Sequence, residues 1–193
     1  MKNLKNSLVN KQDIVFDLDQ TITTLLIDWS DFKLGLIPML IKHFPDVNQV
    51  IDKNSREIDI ANQVIEAYGK VAKDLINQFA QQYEKEYYHG HRVNYELLKF
   101  INSNQDKYNL YLWTNNQRPL TNIVLEELGI LGLFKKTVSS TDTLFYKPHI
   151  EGFNLIWADS TKDKRNFLMI GDSKYDRIAA QNAQINFINV RDI

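Results

Sequence analysis

Three apolar runs in the chain, Ile14-Val15-Phe16, Leu110-Tyr111-Leu112-Trp113 and Phe167-Leu168-Met169-Ile170, each end abruptly in polar residues. A short run without polar alternation reads as a strand buried on both faces, the pattern of a parallel sheet. Helical spacing follows or separates these runs at 95–101, 120–128, 149–158 and 175–182. Gly129 provides a favourable stop for the second of these helices. Two shorter strands are predicted at Thr137-Val138 and 187–190. This alternation of strand and helix predicts a Rossmann-like α/β core: a parallel sheet with right-handed crossovers and helices on both faces.

The stretch 23–90 reads differently. It has few strand signals and two helical regions. The first starts near Ser30 or Asp31 and runs through Phe32, Leu36, Met39 and Leu40, with Pro38 in its first turns or kinking it. In the second, Ala61, Val64, Ile65, Tyr68, Ala72, Leu75, Ile76, Phe79 and Tyr83 recur at three- and four-residue steps, which predicts one apolar helix face. Gly69 is a point where that helix divides. Pro45 and Asn54-Ser55 mark connections. We therefore expect an all-helical cap at 23–90, inserted into a core made of 1–22 and 91–193. The alternative is that these helices simply pack on the sheet.

The polar clusters are where the chemistry lies. They are Asp17-Leu18-Asp19-Gln20-Thr21, Thr114-Asn115-Asn116, Lys147-Pro148 and Gly171-Asp172-Ser173-Lys174-Tyr175-Asp176. Open α/β sheets bind ligands at the carboxyl ends of their strands, where three of these clusters fall. Asp17 and Asp19, just past a buried strand, would repel one another without a cation nearby. Magnesium suits such a place, because it prefers oxygen ligands and also binds phosphate. Read singly, the aspartates are also good turn formers, Thr114 a common strand end, and Ser173 a helix cap.

Taken together, the order and spacing of the four segments resemble the haloacid-dehalogenase-like hydrolase superfamily, over residues 13–22 and 92–190. Most members are magnesium-dependent phosphatases, and a phosphoglycolate-phosphatase-like branch carries a helical cap at this same point. The resemblance implies that Asp17 is the nucleophile and a side-chain ligand of Mg2+, and that Asp19 is the general acid and base and a main-chain ligand. It makes Asp172 the second side-chain ligand. Thr114 and Asn115 would bind the phosphoryl oxygens, and Lys147 would offset the charge on Asp17 and the phosphoryl group. Asp176 would orient Lys147 or bind a metal water, with Ser173 beside it. Relatives that displace halide usually lack a second aspartate at the place of Asp19, so its presence implies phosphoryl transfer. Thr21 is the type common in the phosphatases, where sugar-phosphate mutases more often carry valine. The chain departs from the pattern at Gln20 and Gln184, where glycine is usual, and at Ile150, where many relatives have a second proline. Gln20 is expected to alter the turn after the first strand.

Bulk properties agree with this picture and narrow it. The 193 residues are 44% hydrophobic and 24% charged, and the net charge of −1 provides no basic field for nucleic acid or anionic membranes. No run of 18 apolar residues suggests a membrane span, and positions 1–11 lack the apolar stretch of a secretory signal. With no cysteine, disulfides and thiol chemistry are excluded, which is compatible with the cytoplasm. His43, His89, His91 and His149 have no metal-ligand spacing, although His89 and His91 flank the expected cap-to-core hinge. The expected partner is a small phosphorylated metabolite, and the protein a monomer or homodimer. The residues predict a magnesium-dependent phosphatase working through an aspartyl-phosphate. A phosphoryl transferase or mutase on the same core, and a non-catalytic phosphate-binding relative, are the alternatives. Trp29, Phe32, Lys33 and Arg56 are candidates for lining the site.

Overall fold

A computed structural model describes residues 2–158 and 163–193. The elements, in chain order, are α1 (Lys2–Ser7), β1 (Asp13–Phe16), β2 (Thr23–Leu25), α2 (Phe32–His43), α3 (Glu57–Tyr87), β3 (His91–Val93), α4 (Tyr95–Asn104), β4 (Asn109–Trp113), α5 (Arg118–Glu127), β5 (Lys136–Val138), α6 (Glu151–Trp157), β6 (Phe167–Gly171), α7 (Lys174–Ala183) and β7 (Asn186–Asn189). Five strands form one parallel sheet in the order β5-β4-β1-β6-β7. The chain builds outward from β1 to β4 and β5, then returns to the other side of β1 for β6 and β7. The strand order therefore reverses at β1, and the carboxyl end of β1 opens into the crevice where such sheets bind ligands.

The apolar runs become sheet because both faces are covered. Ile14, Phe16, Leu110, Leu112, Leu168 and Ile170 point into one cluster, joined by Leu97 and Ile101 of α4 and Val124 and Leu125 of α5. Their strand neighbours Val15, Tyr111, Trp113 and Met169 point the other way, against Phe153 and Ile156 of α6 and Ala179, Ala180 and Ala183 of α7. Adjacent residues facing opposite layers is the period-two geometry of a strand. In the register, Phe16 lies between Leu112 and Ile170, so β1, β4 and β6 end nearly flush.

The helices α2 and α3 pack together on a separate cluster that includes Leu36, Leu40, Ile60, Val64, Ile65 and Ile76. Pro38 lies within α2, and α3 is broken at Gly69, whose φ of 63° and ψ of −144° are not helical. The expected elements lie within a few residues of the observed ones. Three were not expected. The helix α1 lies at the N-terminus, and β2 and β3 form an antiparallel ribbon at the two joins of the helical stretch. No described helix is long and apolar enough to cross a membrane.

Gln20 and Gln184 both adopt a φ of 61°. These are the two positions where the resemblance implies glycine, and the chain adopts a left-handed backbone there with a residue that disfavours it. The turn after β1 therefore accommodates Gln20. Gln184 ends α7 in that conformation. Gln184→Gly is expected to raise stability by about 0.5–1 kcal/mol, as relief of the left-handed strain exceeds the added freedom of the unfolded chain. Urea denaturation of the variant checks this, and equal or lower stability would contradict it.

Candidate active site

Lys147 is the organising group of the site. Its side chain is 3% exposed, and its ammonium donates to Asp17 Oδ1 at 2.6 Å, Asp176 Oδ1 at 2.6 Å and the Trp113 carbonyl at 2.9 Å. Three donors thus meet three acceptors, from the ends of β1 and β4 and from α7. Asn115 holds the lysine's main chain from the end of β4. Its Oδ1 accepts from Lys147 N at 2.8 Å, and its Nδ2 donates to Lys147 O at 3.4 Å. Asp176 is fixed in turn by the first turn of α7. Ser173 N and Oγ both donate to Asp176 Oδ2, at 3.1 and 2.6 Å, in a capping box. The helix cap and the orientation of Asp176 are therefore one feature. Gly171 makes room for it, since a Cβ there would lie 2.6 Å from Asp176 Cβ.

Asp17 accepts a second hydrogen bond, from Thr21 Oγ1 at 3.2 Å. Asp19 Oδ1 accepts from Leu25 N of β2 at 2.8 Å, so the ribbon of β2 and β3 aims this carboxylate. Thr114 Oγ1 donates to Asn116 Oδ1 at 2.8 Å, and its N–H donates to Val138 O at 2.9 Å. Asp172 follows β6; its carbonyl accepts from Asn189 Nδ2 at 2.9 Å, and its carboxylate lies 3.6 Å from Arg191. Asp17, Asp19, Thr114, Asn115, Lys147, Asp172, Ser173 and Asp176 all line one cavity of about 340 Å³.

Carboxylates outnumber cations here, and the titration of the groups reflects it. Burial pushes the Asp17 carboxyl up to about 8, with Asp176 and Asp172 adding to the push and Lys147 opposing it. Burial also raises Asp19, to about 6, against hydrogen bonds from Leu25 and Gln20. Asp172 is raised too, first by burial and then by Asp176. Burial disfavours the charge on Lys147, but Asp17 and Asp176 outweigh it and hold the ammonium above its usual range. The two directions within the Asp17–Lys147 pair pull against each other. The lysine is held as an ammonium by the acceptors around it, and Asp17 is the carboxylate whose ionised form is disfavoured.

Such a site suits a hard cation. Carboxylate oxygens of Asp17, Asp172 and Asp176 all lie within 4.8 Å of one another. Asp176 accepts three hydrogen bonds from Lys147 and Ser173, whereas Asp17 Oδ2 accepts one long bond, from Thr21 at 3.2 Å, which leaves Asp17 and Asp172 as the side chains best placed to hold a metal.

Several contributors come from outside the four motifs. Buried Glu84 of α3 accepts from Gln117 N with both oxygens, at 3.0 and 3.3 Å, just beyond Thr114-Asn115-Asn116. Burial raises its carboxyl to about 7. Tyr146, the residue before Lys147, is gripped by α3 at three points. Asn62 bonds its main-chain N–H and C=O, Asn77 accepts from its hydroxyl at 2.9 Å, and Lys73 Nζ lies 3.3 Å over its ring. A charge inside the apolar face of α3 was the available signal for Lys73 and Glu84. Trp29, Phe32 and Arg56 line the cavity, whereas Lys33 donates to Ser55 O. Of the histidines, His91 contacts Tyr88 and Glu127, and neither His89 nor His91 is part of the cavity wall.

These carboxyls set a pH dependence. A group raised in the fold contributes stability below its unfolded pKa and loses it as pH rises through the folded value. Asp19, Glu84 and Asp17 rise to about 6, 7 and 8, so with chelator present stability should fall between pH 5 and 8. Burial lowers Lys73 to about 7, which opposes the trend only above that pH. Magnesium should flatten the profile by favouring ionised Asp17 and Asp172. Thermal melts across this range test it, and a flat profile with chelator would contradict it.

Comparison with known proteins agrees with the fold. A family model described as haloacid dehalogenase-like hydrolase matches residues 14–190. Comparison with curated proteins finds no match. Among solved structures, a protein from Lactobacillus plantarum assigned as a phosphoglycolate phosphatase is 20% identical, with a TM-score of 0.62 over 93% of this chain and 86% of the other. YfnB of Bacillus subtilis, assigned as a HAD-hydrolase and bound to magnesium, is 19% identical, with a TM-score of 0.55 over 92% and 85%. A protein from Thermotoga maritima assigned as a beta-phosphoglucomutase is 18% identical, with a TM-score of 0.52 over 91% and 83%. Likeness at these identities establishes the shared fold. With the family model spanning most of its length, the chain belongs to the haloacid dehalogenase-like hydrolases.

Proposed function

We propose that the protein is a magnesium-dependent phosphatase that hydrolyses a small phosphorylated metabolite through an aspartyl-phosphate. The observation that carries this reading is the buried Lys147 ammonium bridging Asp17 and Asp176 where the strand order reverses. Asp17 attacks phosphorus as the bond to the leaving oxygen breaks, and Asp19 gives that oxygen its proton. Asp19 then takes a proton from water, which attacks phosphorus, frees Asp17 and yields inorganic phosphate. A carboxyl raised to about 6 is suited to both halves, because it exchanges a proton readily near neutral pH. Lys147 and the Thr114 segment offset the charge that develops on the phosphoryl oxygens. Asp17 and Asp172 would hold magnesium, with the Asp19 carbonyl as a further ligand; when bound, it neutralises the carboxylates and polarises the phosphoryl group.

In this reading, 23–90 is a cap over a core of 1–22 and 91–193, and it excludes bulk water from the reacting groups. The magnesium-bound and phosphoglycolate-phosphatase-like neighbours support the reading. It places the protein in the cytoplasm, acting on soluble metabolites as a monomer or homodimer, without nucleic acid or membrane as partner. The test is phosphate release from a panel of phosphomonoesters with magnesium or with chelator. Magnesium-dependent release is expected. Product formed without free phosphate would favour transfer to another acceptor, and no turnover by folded protein would overturn the assignment.

A further inference from the structure

The chain from Leu144 to Lys147 belongs to no helix or strand, and side chains hold its backbone. The N–H groups of Leu144 and Phe145 both donate to Glu151 Oε2, at 2.9 and 3.1 Å. That of Tyr146 donates to Asn62 Oδ1 at 3.0 Å, and that of Lys147 to Asn115 Oδ1 at 2.8 Å. A helix or strand fixes its residues through main-chain partners, whereas such a segment takes its place from the side chains around it. Asn62 and Asn115 are a matched pair. Each also donates its Nδ2 to the carbonyl of the same residue, Asn62 to Tyr146 O at 3.2 Å and Asn115 to Lys147 O at 3.4 Å. Asn115 comes from just past β4, but Asn62 comes from α3. The two adjacent side chains diverge: Tyr146 packs in the apolar cluster of α2 and α3, and Lys147 meets Asp17 and Asp176.

Two more residues of α3 hold the Tyr146 side chain. Asn77 Oδ1 accepts from its hydroxyl at 2.9 Å and from Gln117 Nε2 at 3.2 Å, which ties the Lys147 segment to the chain just past Thr114-Asn115-Asn116. Lys73 stands one helical turn before Asn77, on the same face. Its buried ammonium lies 3.3 Å over the Tyr146 ring and has no hydrogen-bond partner among the described residues. Burying an ammonium without a hydrogen bond is unfavourable, so stability alone does not account for a lysine there. Tyr146 and Lys147 line the cavity, whereas Asn62, Lys73 and Asn77 are outside its wall. These three residues therefore act on the residue next to the Lys147 ammonium, not on what the cavity holds.

We propose that Asn62, Lys73 and Asn77 are positioning residues for Lys147. Through Tyr146, α3 sets the place of the Lys147 ammonium, and with it the positive charge offered to the phosphoryl group in the transition state. This inference rests on the phosphatase reading for what Lys147 does, and on the contacts alone for what holds it.

The experiment measures kcat and KM on the phosphomonoester that the protein hydrolyses fastest. Asn62→Leu and Asn77→Leu keep the side-chain size and remove the bonds. Each should lower kcat about tenfold or more with KM changed less than about threefold, since misplacing a reacting group by about 1 Å costs up to about 10²-fold. Leu40→Ala opens a gap in the same apolar cluster but breaks none of these bonds. It should lower the melting temperature and leave kcat unchanged. Lys73→Met removes the charge at similar length. Its melting temperature should rise while kcat falls, a combination that a purely structural lysine would not give. Tyr146→Phe added to Asn77→Leu should lower kcat no further than Asn77→Leu alone, because both remove the same bond. The 15N spectra of the lysine ammonium groups follow Lys147 without turnover. Its signal should move in Asn62→Leu and Asn77→Leu and stay in Leu40→Ala. Unchanged kcat in the three α3 variants, an unmoved Lys147 signal, or a kcat that simply tracks melting temperature through Leu40→Ala would overturn the proposal while leaving a phosphatase. If the wild type hydrolyses no ester, a moved signal would support the positioning and remove the phosphatase reading, and an unmoved one would overturn both.

Discussion

Asp17→Asn is expected to lower phosphate release by at least about 10⁴-fold, because the amide cannot accept the phosphoryl group. The same change should raise stability in chelator at pH 8. Burial and the neighbouring carboxylates push Asp17 up to about 8, so its ionised form is disfavoured in the fold, and asparagine removes that charge. Lys147 would retain Asp176 and the Trp113 carbonyl as acceptors. Activity and stability should therefore move in opposite directions, as they do when a site is built for charge it must later share with a ligand. Phosphate-release assays and thermal melts on one preparation check both. Substantial residual turnover would mean that another group receives the phosphoryl, and lower stability would mean that the Lys147 ion pair outweighs the repulsion.

Lys147→Ala is expected to act in the opposite sense on stability and in the same sense on activity. The substitution leaves Asp17 and Asp176 facing each other, buried, with no ammonium between them. Removing one partner of a buried ion pair costs about 3–5 kcal/mol, since the remaining charge is left without water or counter-ion. Added magnesium should recover part of the loss through Asp17. Combining Lys147→Ala with Asp17→Asn should be less destabilising than the sum of the single changes, and the double-mutant cycle measures this coupling. Urea denaturation with chelator provides the free energies. A loss under about 1 kcal/mol would show that Asp17 and Asp176 protonate at little cost and that the lysine is not what holds the carboxylates together.

The candidate catalytic groups were legible because local pattern carries them. An apolar run is buried on both faces wherever it pairs, and the polar residue after it must then lie at a sheet edge. That reasoning located Asp17, Thr114 and Asp172 from β1, β4 and β6 alone. Lys147 follows no such run, and its place came from its order among the motifs. Gln20 departs from the glycine that the resemblance implies, and its left-handed backbone is accommodated at modest cost. The ribbon of β2 and β3 was missed because three-residue strands have no period to detect, and their pairing joins positions 68 residues apart, as in Thr24 with Arg92.

What the sequence determined by itself was the order of strands and helices, the amphipathic face of α3, the break at Gly69, and the four polar segments. Each depends on residues within a few positions of one another, where burial and backbone preference act directly. Only the tertiary structure decided how those segments are held. Asn115 on the Lys147 main chain, Glu84 on Gln117 N, and Asn62, Asn77 and Lys73 on Tyr146 are all contacts across distant parts of the chain. A polar side chain has the same local signature in water as against a distant partner. Its role emerges only when folding removes the water and leaves that partner as the available acceptor or donor.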